Sequence, residues 1–161
     1  MGGYGAMHHY LRNVDKYSAC VALSPATKPD FLDESKFGYL RDHFLNAKGK
    51  EKVILITDSI EAAGLPDGTY ALGGQPVYVV GKEARLENGA LAGSIANMNE
   101  CVKNAYQNLG LTLYEAVNLA SLNPAMSINQ NDIGELKKGN LADIIFFDEE
   151  INIERVMING E

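Results

Sequence analysis

The chain contains no tryptophan and only two cysteines among its 161 residues. Cys20 and Cys101 stand far apart and show no CxxC spacing, which excludes a disulfide framework and a zinc ribbon; both are expected to be reduced thiols. Long hydrophobic runs are also missing. The apolar stretch Val53-Ile54-Leu55-Ile56 is far shorter than the roughly 20 residues of a bilayer span, and Met1-Gly2-Gly3 opens no basic-then-apolar signal peptide. The expectation is a soluble cytoplasmic chain with no membrane partner. Basic residues are in deficit, with Lys plus Arg at 14 against 21 for Asp plus Glu and a net charge of −7. That sign repels phosphate backbones, so nucleic acid is not an expected partner. There is no GxxxxGK[ST] phosphate loop, internal repeat or low-complexity tract.

What is present is an ordinary globular balance, 46% hydrophobic and 22% charged, in a length that suits one domain of roughly 100–200 residues with a real core. Residues 1–50 lack a clean period, and only Phe37 to Ala47 has helical spacing. From Val53 to Thr57 a β-branched run has the length of a strand buried on both faces, as in a parallel sheet, and its end delivers Asp58. Ala62 to Gly68 is dense in turn formers and reads as a loop, with Pro66-Asp67-Gly68 predicting a positive φ at the glycine.

Val77 to Val80 and Ala84 to Glu87 read as two short strands turning near Gly81, and Asn88-Gly89 is a further turn signal. Asn97 with Glu100 is a capping pair that opens a helix running to Gly110. Thr112 with Glu115 opens a second, which Asn123-Pro124 is expected to end. Ala142 to Asp148 and Arg155 to Gly160 read as closing strands, and the tyrosines and phenylalanines as core.

Thr57-Asp58-Ser59 followed by Ala62-Ala63-Gly64-Leu65-Pro66-Asp67-Gly68-x-Tyr70-x-Leu72-Gly73-Gly74 resembles the catalytic-aspartate segment of N-acetylglucosamine-6-phosphate deacetylases, members of the amidohydrolase superfamily. The likeness continues through Asn88 to Ser94, through Ala120-Ser121-x-Asn123-Pro124-Ala125, and through Ile133-Gly134-x-Leu136-x-x-Gly139-x-x-Ala142-Asp143. It covers roughly Glu51 to Glu161. The Asn123-Pro124-Ala125 and Gly139-x-x-Ala142-Asp143 pieces recur across amidohydrolases, whereas Ala62 to Gly68 points to the deacetylases.

The resemblance implies an α/β fold: the C-terminal portion of a TIM-like (β/α)₈ metal-dependent hydrolase barrel over residues 1–132, and over 133–161 a β-rich tail belonging to a small β-sandwich. A complete barrel needs about 250 residues. Open sheet edges are therefore expected to lead to self-association or to a partner chain that supplies the rest of the barrel. The implied reaction deacetylates N-acetylglucosamine 6-phosphate to glucosamine 6-phosphate and acetate in amino-sugar catabolism.

In that reading Asp58 is the general base, since active-site groups collect at the carboxyl ends of barrel strands. The reading from pattern alone is a strand-end aspartate capping a turn. Leu91, Ala92 and Gly93 resemble a loop that lines the sugar site, where small residues let ligand approach the backbone; the alternative is an ordinary loop glycine. Asp143 resembles a structural aspartate of the superfamily.

At the front of the chain, Tyr4-Gly5-Ala6-Met7 resembles the end of a Thr-His-x-Tyr/Phe-Asn-Ala-Met motif. Ala6 is thereby a sugar-phosphate contact and Arg12 a phosphate-binding candidate. Gly2 stands where the family has a metal-ligating histidine, Gly5 where it has asparagine, and Ser35 where it has a substrate-contacting histidine. His8 and His9 show no partner ligands and read as surface residues. The family's divalent metal, zinc or similar, is thus expected to bind this chain alone weakly or not at all, with no metal ligand assigned. Two function classes stay open: a deacetylase acting on a phosphorylated amino sugar, and a truncated or degenerate, catalytically inactive relative.

Overall fold

The structure is a computed structural model whose described residues are 20–23 and 50, as backbone only, and 51–161. Gly2, Gly5, Ala6, His8, His9, Arg12, Ser35 and the helix expected over Phe37 to Ala47 lie outside the described residues.

Two strands, β1 (Cys20–Leu23) and β2 (Val53–Ile56), pair in parallel, with Cys20 opposite Val53 and Leu23 opposite Ile56. Val53, Ile54 and Leu55 are buried, so β2 is covered on both faces as its β-branched composition predicts. In a parallel ladder alternate residues direct both backbone polar groups to the same side, and Val53 and Leu55 share that parity. The Val53 carbonyl accepts from Asn123 Nδ2 at 2.7 Å, and the Leu55 amide donates to the Leu119 carbonyl at 2.9 Å. Groups from the helical region thus satisfy this edge of β2 where a neighbouring strand would.

The chain then makes an excursion into a four-stranded antiparallel sheet of β3 (Gly68–Leu72), β4 (Gln75–Val80), β5 (Glu83–Leu86) and β6 (Leu91–Gly93), adjacent in that order. This is two strands more than the turn signals predict, and Leu91 to Gly93, expected as loop, form its edge strand. The positive φ expected at Gly68 occurs instead at Gly64, +77°. Gly68 is already extended, paired with Val79 as the first residue of β3. Along β4, Val77 and Val79 are buried while Tyr78 and Val80 are exposed, the period-two pattern of a sheet with one covered face. Val77, Val79, Ala84 and Ala62 form a small core against which Ile60, Tyr70, Leu86, Ala92 and Ile95 pack.

Three helices follow: α1 (Met98–Asn108), α2 (Leu113–Asn118) and α3 (Leu122–Ser127). Both capping pairs form, with the Asn97 amide donating to Glu100 Oε2 at 3.0 Å and the Thr112 amide to Glu115 Oε2 at 2.9 Å. The second helix does not run to Asn123-Pro124. It ends at Asn118, and Pro124 sits third in α3. Proline is tolerated there because first-turn amides have no intrahelical partner to lose.

The main core joins Val53 and Leu55 of β2 to Cys101, Val102 and Ala105 of α1, Ala116 of α2, Leu111, Leu119 and Ile151. Ile151 belongs to the turn of the closing antiparallel hairpin, β7 (Ile144–Phe147) and β8 (Ile153–Met157). The described aromatics are mostly outside this core. Tyr78, Tyr106, Tyr114 and Phe146 are exposed, Phe146 lying under the Arg155 guanidinium at 5.9 Å, while Tyr70 and Phe147 are half-buried. Among the described aromatics the expectation of core packing holds for Tyr70 and Phe147, which pack against the two cores, and not for the others, because helices and strands covered on one side leave their other face outward.

Candidate active site around Asp58

Asp58 lies two residues beyond the carboxyl end of β2, exposed, with φ +51°. A positive φ is unusual for a residue with a side chain, though aspartate tolerates it better than most. Immediately after it, Ser59 forms an isolated parallel bridge with Ser94, and the Ile60 amide donates to the Ser94 carbonyl at 2.8 Å. Ser59 Oγ donates to the Ala96 carbonyl at 2.6 Å, and the Ala96 amide to Ser94 Oγ at 3.1 Å. The fold therefore brings Asp58 and Gly93 together, each one residue from this bridge, although 34 residues separate Ile60 from Ser94.

Leu91 is exposed opposite Arg85, and Ala92 is half-buried against the small core. Gly93 is in close contact with its surroundings: a Cβ there would lie 2.5 Å from Ile60 Cγ2. Ala6 and Arg12 lie outside the described residues.

The stretch that distinguishes the resemblance, Ala62 to Tyr70, builds the excursion. Asp67 Oδ1 accepts from the Gly81 amide at 3.0 Å and so fixes the β4–β5 turn, and the Tyr70 hydroxyl donates to the Pro66 carbonyl at 2.6 Å. Asp143 also serves the fold, its carboxylate accepting from the Asn159 amide at 2.8 Å. The buried Ser94 and Asn123, which tie this region together, were not singled out from sequence as site-forming residues. Both stand in resembled segments, Asn123 in Asn-Pro-Ala and Ser94 at the end of Asn88 to Ser94, but neither segment conveys the contacts these side chains make.

Among the described residues two carboxylates have shifted acidities. Lys82, hydrogen-bonded to Glu100 at 2.5 Å, holds the Glu100 carboxyl below its ordinary range; the Asn97 amide adds to this and partial burial opposes it. Asp148 is lowered chiefly by the Asn152 side chain, then by the Asn152 and Glu150 amides. Both lie in turn and cap structures. Among the described residues no group of three His, Cys, Asp or Glu side chains is placed to hold a metal ion, and none of their helices is long and apolar enough to cross a membrane.

A profile of the Amidohydrolase family matches residues 38–161, and the chain belongs to that family. Within it, the chain is 41% identical over 113 residues to an N-acetylglucosamine-6-phosphate deacetylase of Lysinibacillus sphaericus, an alignment that covers 70% of this chain and 29% of the relative. It is 37% identical over 113 residues to an Escherichia coli N-acetylgalactosamine-6-phosphate deacetylase, covering 70% of this chain and 30% of that protein. The crystal structure of N-acetylglucosamine-6-phosphate deacetylase from Pasteurella multocida superposes with a TM-score of 0.72 at 28% identity, over 87% of this chain and 35% of the other. The chain thus spans about a third of the length of these relatives.

Proposed function

We propose that this chain provides the C-terminal, Asp58-bearing part of an amide hydrolase that removes the acetyl group of N-acetylglucosamine 6-phosphate. The observation that carries the reading is the placement of Asp58: exposed past the end of a parallel strand pair, in an unusual backbone conformation, beside Gly93. The names of the relatives support the substrate class. They also include the galactosamine epimer, which differs at the C4 hydroxyl, so both sugars belong in the assay. In this reading residues 1–132 are part of a (β/α)₈ barrel wall, 133–161 part of a β-sandwich, and Leu91, Ala92 and Gly93, with Ala6 and Arg12, contact the sugar phosphate.

The chemistry assigned to Asp58 is proton transfer: its carboxylate takes a proton from the water that attacks the acetamide carbonyl and returns it to the departing amine. The divalent metal that the family resemblance implies does not fit the described residues, which offer Asp58 without a matching ligand group. A second reading, a truncated or degenerate relative without catalytic activity, is favoured by Gly2 and Gly5, which stand where the resembled motif has histidine and asparagine.

Acetate release from each sugar phosphate, measured with and without added divalent cations, tests the proposal. Turnover should fall roughly 10²–10⁴-fold in Asp58→Asn, which keeps the shape but loses the base. Wild-type turnover in that variant removes the assigned role. No turnover in the unmodified chain with any added cation supports the second reading.

A further inference from the structure

We infer that Ser59, Ser94 and Gly93 form a clasp that holds Asp58 in its left-handed backbone conformation, making all three positioning residues for the carboxylate. The inference rests on the assignment of Asp58 above. A non-glycine residue at φ +51° persists only where its neighbours over-determine it. On one side Asp58 is preceded by β2, whose far edge is satisfied by Asn123 and Leu119. On the other side the chain is fixed from the next residue onward: Ser59 bridges Ser94, Ile60 donates to the Ser94 carbonyl, and Ser59 Oγ donates to the Ala96 carbonyl. Ser94 is buried, and its own hydroxyl accepts from the Ala96 amide, so both faces of the short 94–96 segment are held. Asp58 thus lies between two anchored points and absorbs the turn that connects them.

Gly93 belongs to the same device. Its missing side chain makes room for Ile60, which packs against the core formed by Ala62, Val77, Val79 and Ala84. Any side chain at position 93 pushes on Ile60 and through it on Ser59 and Asp58. This is a different requirement from leaving space for a ligand, and the two predict opposite outcomes for a double substitution.

The test is nuclear magnetic resonance of the purified chain, which needs no turnover and therefore stands or falls separately from the proposed activity. The readouts are the amide signal and HN–Hα coupling of Asp58 and the hydrogen exchange of the Ile60 and Ala96 amides, with the Leu55 amide as reference for the main core. Gly93→Ala should shift Asp58 and accelerate Ile60 exchange about tenfold, the scale of one lost net hydrogen bond, while Leu55 is unchanged. Gly93→Ala combined with Ile60→Ala should return the Asp58 signals toward wild type. Ser59→Ala should shift Asp58, and Ser59→Thr, which keeps the donor, should restore it. Asp58 signals unmoved in Gly93→Ala and Ser59→Ala overturn the inference, as does a double variant no closer to wild type than Gly93→Ala. Equal acceleration at Leu55 in the single variants also overturns it, since the contacts would then serve only global stability.

Discussion

Ile151 sets two opposing energies against each other. Its side chain is 4% exposed and packs with Val53, Leu55 and Val102 in the main core, while its backbone adopts φ +60°. That conformation crowds Cβ against the carbonyl and costs roughly 1–2 kcal/mol, most for a branched side chain. The turn nonetheless enforces it: the Ile151 amide donates to the Asp148 carbonyl at 2.9 Å, Asn99 Nδ2 donates to the Ile151 carbonyl at 3.0 Å, and Asp148 Oδ1 accepts from Glu150 and Asn152. Truncation to alanine forfeits burial and leaves a cavity, about 2–5 kcal/mol for such a change, and keeps most of the backbone strain. Glycine forfeits the same burial but relieves the strain.

Elsewhere glycine is the worse replacement by roughly 0.5–1 kcal/mol; at this position the order should invert. Urea unfolding with an unchanged m-value is the assay. The expected order of stability is wild type, then Ile151→Gly, then Ile151→Ala, with the alanine variant about 3 kcal/mol below wild type. An alanine variant more stable than the glycine variant, or within about 1 kcal/mol of wild type, refutes the account of Ile151 as a strained plug.

Asn123→Ala removes the donor to the carbonyl of the fully buried Val53. It should cost about 1–3 kcal/mol by the same assay, and Asn123→Asp should cost more, because it sets a buried charge against that carbonyl. Glu100 and Asp148 both have pKa values held below those of ordinary carboxyls, so the stability they add is fully present above the unfolded carboxyl values near pH 4. It is lost as pH falls through their lower folded values. Lys82→Gln should raise the Glu100 pKa and move the fraying of the α1 start to higher pH, read from the carboxyl carbon and from Asn97 amide exchange. An unmoved Glu100 titration contradicts the cause assigned to it.

Local patterns foretold the elements with local causes. The strand before Asp58, the capping pairs Asn97–Glu100 and Thr112–Glu115 and the turn at Asn88-Gly89 each depend on residues within a few positions of one another, which is the range that composition and spacing express. The motif around Asp58 carried the family as well. Strand β1 escaped because Cys-Val-Ala-Leu lacks the β-branched run that marks the equally short β2, and it becomes a strand by lying beside β2. Leu91 to Gly93 read as loop because their extended form comes from pairing with β5. Pro124 read as a helix end because a local rule cannot tell a first turn from an interior one.

The setting of the carboxylate was less legible still. From the sequence alone Asp58 is an aspartate after a strand, and Gly93 a small residue in a resembled motif. That Ser94 returns to Ser59, that Ile60 fills the space a side chain at Gly93 would need, and that Asn123 and Leu119 satisfy the edge of β2 are contacts between residues 33 to 70 positions apart. Such contacts form only when burial of two cores draws the ends of the excursion together, and no short-range pattern records that closure.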